Sequence, residues 1–308
     1  MDRKSVVVLG VIFGGLFLAL FAFLLLAFVA VRSGGDDGAG FGGPAIGVLE
    51  IKGPIVDTDK ELKALRKFAR EDRIKSILVR IDSPGGAVAP SQEIYAELRR
   101  INQSKKVVCS MGNLAASGGY YIAAGCGKVF AMPGTLTGSI GVISQLPYLG
   151  DIAKELHFSM NTIKSGKMKD VGNPFREMTE EERAFFQKLM DSVHEQFISA
   201  VAEGRGLKIE EVRPFADGRV LTGAEARELK LVDEIGNFND AIKLAAELGQ
   251  IEGEPKLQYP PEEHRFKFAD LMSEGGRALM RGFRQGLGES ASSSPDGVVG
   301  PAYLMPTP

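Results

Sequence analysis

Ser76-Ile77-Leu78-Val79-Arg80-Ile81-Asp82-Ser83-Pro84-Gly85-Gly86 sets a short apolar run directly against a proline and two glycines. Residues 76–81 have the length and content of a buried strand, and the glycines end it in a tight turn. A helix is predicted from about Pro90 to Ile101, where Ile94, Leu98 and Ile101 share one face. Val107 to Met111 is the next strand-like run. Upstream, Ala45 to Ile51 repeats the pattern, followed by Asp59 to Ala69 with Leu62, Leu65 and Phe68 at helical spacing. Strands alternating with helices at this spacing predict βαβ units and a mostly parallel sheet, an α/β fold.

Downstream the alternation continues. A short helix is expected after Ser117, with strands at Val129–Ala131 and Ser139–Ile143. Thr179-Glu180-Glu181-Glu182 is a capping box that opens a long helix to about Glu203. Its stripe of Phe185, Phe186, Leu189, Met190, Val193, Phe197 and Val201 reads as core or subunit interface. Shorter helices follow near Ile209–Phe215, Ala224–Leu229 and Asp240–Leu248, and no internal repeat is visible.

The chain has 308 residues, 25% of them charged, and a formal net charge of -2. That length allows one large domain or two small ones. The near-neutral balance argues against a nucleic-acid partner recruited by bulk electrostatics. His157, His194, His264, Cys109 and Cys126 are scattered without metal-ligand spacing, so no metal site is expected. The two cysteines read as unpaired core residues.

From Ser5 to Val31 no charge interrupts the chain. As a helix this run is about 40 Å long, enough to cross a bilayer with some tilt. Arg3 and Lys4 precede it and Asp36 and Asp37 follow, placing the amino terminus in the cytoplasm and the rest outside. The run exceeds a signal-peptide core, which favours a retained anchor over a cleaved signal. The expected organisation is therefore an anchor over 1–32, a Gly- and Asp-rich tether over 33–44, a globular domain over 45–250, and a polar, Pro-rich extension over 251–308 that ends in disorder.

Three segments carry possible chemistry. In Ala115-Ala116-Ser117-Gly118-Gly119-Tyr120-Tyr121, small neighbours let a substrate backbone approach Ser117, and the start of a helix offers free N–H groups. A structural turn explains the same residues equally well. Asp82-Ser83-Pro84-Gly85-Gly86 follows a strand, where an α/β fold exposes backbone N–H groups to a ligand. It lacks the lysine and hydroxyl of a phosphate loop. A serine nucleophile needs a base, and no carboxylate stands in an orienting relation to His157. Lys164, Lys167 and Lys169 are the other candidates, since a dehydrated lysine loses its proton more readily. Residue type alone does not choose among them.

These two glycine segments, with Thr137-Gly138-Ser139-Ile140-Gly141-Val142 and Ser165-Gly166-Lys167-Met168-Lys169-Asp170, resemble the short, single-copy form of the signal peptide peptidase A family of membrane-bound serine proteases. The likeness runs from about Ile46 to Leu248. It implies a Clp-protease/crotonase-like fold behind an amino-terminal transmembrane helix and a Ser/Lys dyad without cofactor. Ser117 matches the nucleophile, Lys169 the general base, and Ser139 the residue that holds the lysine amine. Gly86 and Gly118 match the oxyanion donors. The resemblance further implies hydrophobic peptides and remnant signal peptides as substrates, a bilayer location, and a ring of protomers whose active sites lie at protomer interfaces. Such a base must be largely dehydrated. A catalytically silent, membrane-bound peptide scaffold on the same fold is the alternative. A crotonase-type acyl-CoA enzyme would share the fold but needs neither Ser117 nor an anchor.

Overall fold

The computed structural model describes residues 43–261, together with helical residues at Leu18 and 21–23. Apart from those helical residues, the expected anchor lies outside the described residues, as do most of the tether and most of the carboxyl-terminal extension, including its end. Among the described residues no helix is long and apolar enough to cross a membrane.

The centre of the fold is a parallel array of β1 (Ala45–Lys52), β2 (Ile74–Ser83) and β3 (Lys106–Ala116). The helices α1 (Asp59–Arg70) and α2 (Val88–Asn102) make the two crossovers. Alternation within each strand sends its side chains to two cores. Leu49, Ile77, Val79, Ile81, Val107 and Met111 pack with Leu65 and Phe68 of α1 and with Ile94 and Leu98 of α2. Ile46, Val48, Leu78 and Val108 face Ala241 and Ala245 of α8 (Phe238–Leu248) on the other side. Burying each large aliphatic or aromatic side chain contributes about 1.5–3 kcal/mol, so this two-sided burial drives the assembly.

Beyond β3 the sheet divides. The first half of β3 pairs with β4 (Lys128–Ala131) and the second half with β5 (Leu136–Gly138), both in parallel. The helix α3 (Gly118–Ala124) follows β3 directly. After the short α4 (Gly150–Glu155) and the long α5 (Glu180–Arg205) come α6 (Ile209–Val212), β6 (Val220–Thr222), α7 (Gly223–Glu228) and β7 (Glu234–Ile235). β6 pairs antiparallel with β5, and β7 pairs with β4. The strand β8 (Lys256–Gln258) lies past the 45–250 range and adds to the edge beside β1. The capping box at Thr179 and Glu182 forms as expected.

Two expectations are corrected. Residues 139–143 are not a strand: β5 ends at Gly138, and Ser139 has φ 50°, which breaks strand geometry. The cysteines are not unpaired, because Cys109 and Cys126 form a disulfide with Cα atoms 5.9 Å apart. The chain returns along β3 through α3, and the Gly127 N–H donates to the Val107 carbonyl at 2.9 Å, which brings Cys126 beside Cys109.

Candidate active site

Strand register builds the site. Ser83 of β2 pairs with Ala115 of β3, so the residues two positions on, Gly85 and Ser117, arrive side by side. A Cβ on Gly85 would lie 2.9 Å from the Ser117 Cβ and 2.5 Å from the Gly118 nitrogen. Only a glycine permits this approach, and Gly85 also needs its φ of 97°. The turn is tied down by Ser83. Its hydroxyl donates to the Gly53 carbonyl at 2.7 Å and accepts from the Gly85 N–H at 3.1 Å. The Leu114 N–H donates to Asp82 Oδ1 at 3.1 Å, which holds the aspartate against β3.

Gly86 presents a free donor. Its neighbours bond to Ile55: the Ile55 N–H donates to the Gly85 carbonyl at 2.9 Å and the Ala87 N–H to the Ile55 carbonyl at 2.8 Å. The Gly86 N–H itself has no hydrogen-bond acceptor among the described residues, and the nitrogen is 3.2 Å from where a Cβ on Gly118 would sit. Gly118 is the first residue of α3, where a helix leaves its N–H groups without intrahelical partners. Two backbone donors therefore flank one serine.

Ser117 is partly exposed and has φ 52° and ψ -121°, a conformation costly for any residue with a side chain. Its N–H donates to the Gly138 carbonyl at 2.9 Å, and its carbonyl accepts from the Tyr121 N–H at 2.8 Å. Strain of this kind, held from both sides, is a feature of nucleophile turns. Ala116 pairs with Gly138, so the register puts Ser139 level with Ser117. The Ser139 N–H is held by the Arg219 carbonyl at 2.8 Å.

Gly86, Ser117 and Gly118 line a cavity of about 90 Å³ whose walls include Val88, Tyr121 and Phe197. Its apolar wall was not read from the sequence as part of a site. Phe197 belonged to a stripe read as core or interface, and nothing in local spacing aims it at Ser117. Ser139 and Lys169 do not line this cavity. A larger one of about 580 Å³, bounded by Tyr148, Arg176 and Phe186, shares no lining residue with it. Of the two, the smaller cavity is the one lined by Ser117 and by Gly86 and Gly118.

The expected dehydration of Lys169 is not met within one chain. Lys169 is exposed, on a run of turns between Gly166 and Asn173 that adds nothing to either core. The structure does separate the three lysines. Lys164 pairs with Asp170 and Lys167 with Glu181, whereas the Lys169 ammonium has no partner among the described residues. The His194 ring nitrogen Nε2 lies 3.2 Å from the Ile140 carbonyl, a satisfied histidine.

A mostly parallel sheet that carries a serine on a strained turn between two glycines is an α/β architecture of the Clp-protease type. Residues 51–138 match the Clp protease family, and residues 99–252 match peptidase family S49. A protein named as a protease in Synechocystis sp. is 46% identical over 206 residues, 66% of this chain and 74% of that relative. A protein named as a signal peptide peptidase SppA in Enterococcus faecium is 37% identical, over 63% of this chain and 60% of its own. The chloroplastic serine protease SPPA of Arabidopsis thaliana is 31% identical, over 67% of this chain and 30% of its own. The chain belongs to peptidase family S49 and is similar to its SppA members.

Proposed function

We propose that the chain is a membrane-anchored serine endopeptidase that degrades remnant signal peptides and other hydrophobic peptides, with its catalytic domain outside the cytoplasm. The observation that carries this reading is the meeting of Gly86 and Gly118 around Ser117, with an apolar cavity beside them. Ser117 Oγ attacks the scissile carbonyl carbon while neutral Lys169 takes the hydroxyl proton. The N–H groups of Gly86 and Gly118 stabilise the tetrahedral oxyanion. As it collapses, Lys169 returns the proton to the departing amine, leaving an acyl-enzyme on Ser117. Water, deprotonated by the same lysine, then releases the acid. Ser139 holds the lysine amine.

The exposure of Lys169 and its absence from the cavity wall support a shared site. Ser117 of one protomer works with Lys169 of a neighbour in a ring, and the neighbour supplies the dehydration that one chain lacks. The anchor fits this substrate class because cleaved signal peptides remain in the bilayer.

The test is cleavage of an apolar peptide by the full chain, beside Ser117→Ala and Lys169→Ala, with a serine-reactive phosphonate probe. Labelling of Ser117 and loss of cleavage in both variants support the reading. A Ser117→Ala chain that cleaves as fast as the parent overturns it.

A further inference from the structure

Lys169 sits on turns, not on a helix or strand. Its N–H reaches the Gly166 carbonyl at 3.2 Å, Val171 reaches Met168 at 3.3 Å, and Asn173 reaches Asp170 at 3.1 Å. Turns of this kind do not by themselves hold a long side chain to the tolerance that proton transfer needs. One arginine supplies the missing anchorage.

Arg176 uses every N–H of its guanidinium. Nε donates to Asp170 Oδ2 at 3.1 Å, and Nη2 donates to the Asp170 carbonyl at 3.2 Å. Nη1 donates to Glu182 Oε2 at 2.8 Å and to the Glu177 carbonyl at 3.1 Å, while Nη2 also bonds Glu182 Oε1. Lys164 holds the remaining Asp170 oxygen, Oδ1.

Glu182 is buried in the first turn of α5 and accepts from the Thr179 N–H at 2.9 Å. The helix it belongs to is fixed further along, where Phe197, Ile198 and Val201 enter the main core. A continuous path of charge-assisted bonds thus runs from a rigid helix to both the carboxylate and the backbone carbonyl of the residue that follows Lys169.

We propose that Arg176 is a positioning residue for Lys169, clamping the Asp170 peptide to the start of α5 so that the lysine amine is presented at a fixed place. This rests on the reading of Lys169 as the general base. A planar fork is required: lysine at 176 keeps the charge but cannot bond two carboxylates and two carbonyls at once.

The experiment uses the full chain with Arg176→Ala, Arg176→Lys and Lys169→Ala, comparing kcat and KM on an apolar peptide, with thermal unfolding of each. Displacement of a catalytic group by about 1 Å costs on the order of 100-fold. The expected result is a kcat about 10–100-fold lower in both Arg176 variants, with KM changed less than about 3-fold and no recovery in Arg176→Lys. Arg176→Lys keeps the positive charge between Asp170 and Glu182, so it serves if the alanine variant does not fold. Parental kcat in a folded Arg176→Lys chain, beside an inactive Lys169→Ala chain, overturns the positioning role alone. A fully active Lys169→Ala chain overturns the base assignment, and the positioning role with it.

Discussion

The backbone nitrogen of Gly118 lies 2.5 Å from the point a Cβ on Gly85 would occupy, so the turn after β2 and the turn after β3 are packed backbone to backbone. Neither glycine pair makes a site alone. Their contact sets two N–H donors around Ser117, and most consequences of the structure follow from how little room that contact leaves.

Gly85→Ala is expected to damage both fold and activity. The new methyl would meet the Gly118 nitrogen and the Ala116 carbonyl oxygen, 2.5 and 2.9 Å away, which are backbone atoms that cannot swing aside. The residue would also be held at φ 97°, adding about 1–3 kcal/mol of strain. Chemical denaturation should show a loss of at least that size, and phosphonate labelling of Ser117 should slow in the surviving folded fraction.

Ser117→Gly should separate stability from activity in the opposite sense. Glycine adopts φ 52° and ψ -121° freely, so relief of the serine's strain stabilises the fold by about 1 kcal/mol. Under the proposed mechanism peptide cleavage falls to background, because the attacking hydroxyl is gone. A melting temperature equal to or below that of Ser117→Ala would contradict the strain assigned to this turn.

Mixing chains tests the shared site. Under the proposed arrangement, inactive Ser117→Ala and Lys169→Ala chains co-assemble so that some interfaces pair an intact serine with an intact lysine. Dissociating, mixing and reassembling the two should restore a measurable fraction of parental cleavage. Mixed assemblies that stay as inactive as either variant would place both residues within one protomer.

Glu182 makes stability depend on acid. Bidentate bonding by Arg176 and the Thr179 N–H hold its carboxyl down to about 2, from an ordinary value of 4.5. A depressed carboxyl stabilises the fold fully above its unfolded value, and that contribution is lost as pH falls from about 4.5 toward 2. Acid titration of the parent should show this decline, and Glu182→Gln should flatten it while lowering stability at neutral pH.

Much of the architecture was legible in local pattern. The runs around β1 and β2 and the spacing of Leu62, Leu65 and Phe68 in α1, or Ile94, Leu98 and Ile101 in α2, marked elements the structure contains at nearly those limits, whereas β3 continues past the expected Met111 to Ala116. Local pattern failed where backbone geometry competes with side-chain preference. Ser139 to Ile143 carries strand-like residues, yet the chain turns at Gly138 and Ser139, with φ 73° and 50°, to meet Arg219 and Gly218. It failed again for Cys109 and Cys126, whose adjacency depends on α3 folding back along its own strand.

Sequence alone determined the α/β alternation and the glycine turns on either side of Ser117, because strand and helix periodicity and turn chemistry are local properties. Only the tertiary structure decided which turns meet. Pairing of Ser83 with Ala115 and of Ala116 with Gly138 brings Gly85, Ser117 and Ser139 to one level, while Lys169 stays on exposed turns tied to α5 through Arg176. Register between distant strands is settled by packing of whole faces, and no window of sequence contains both partners.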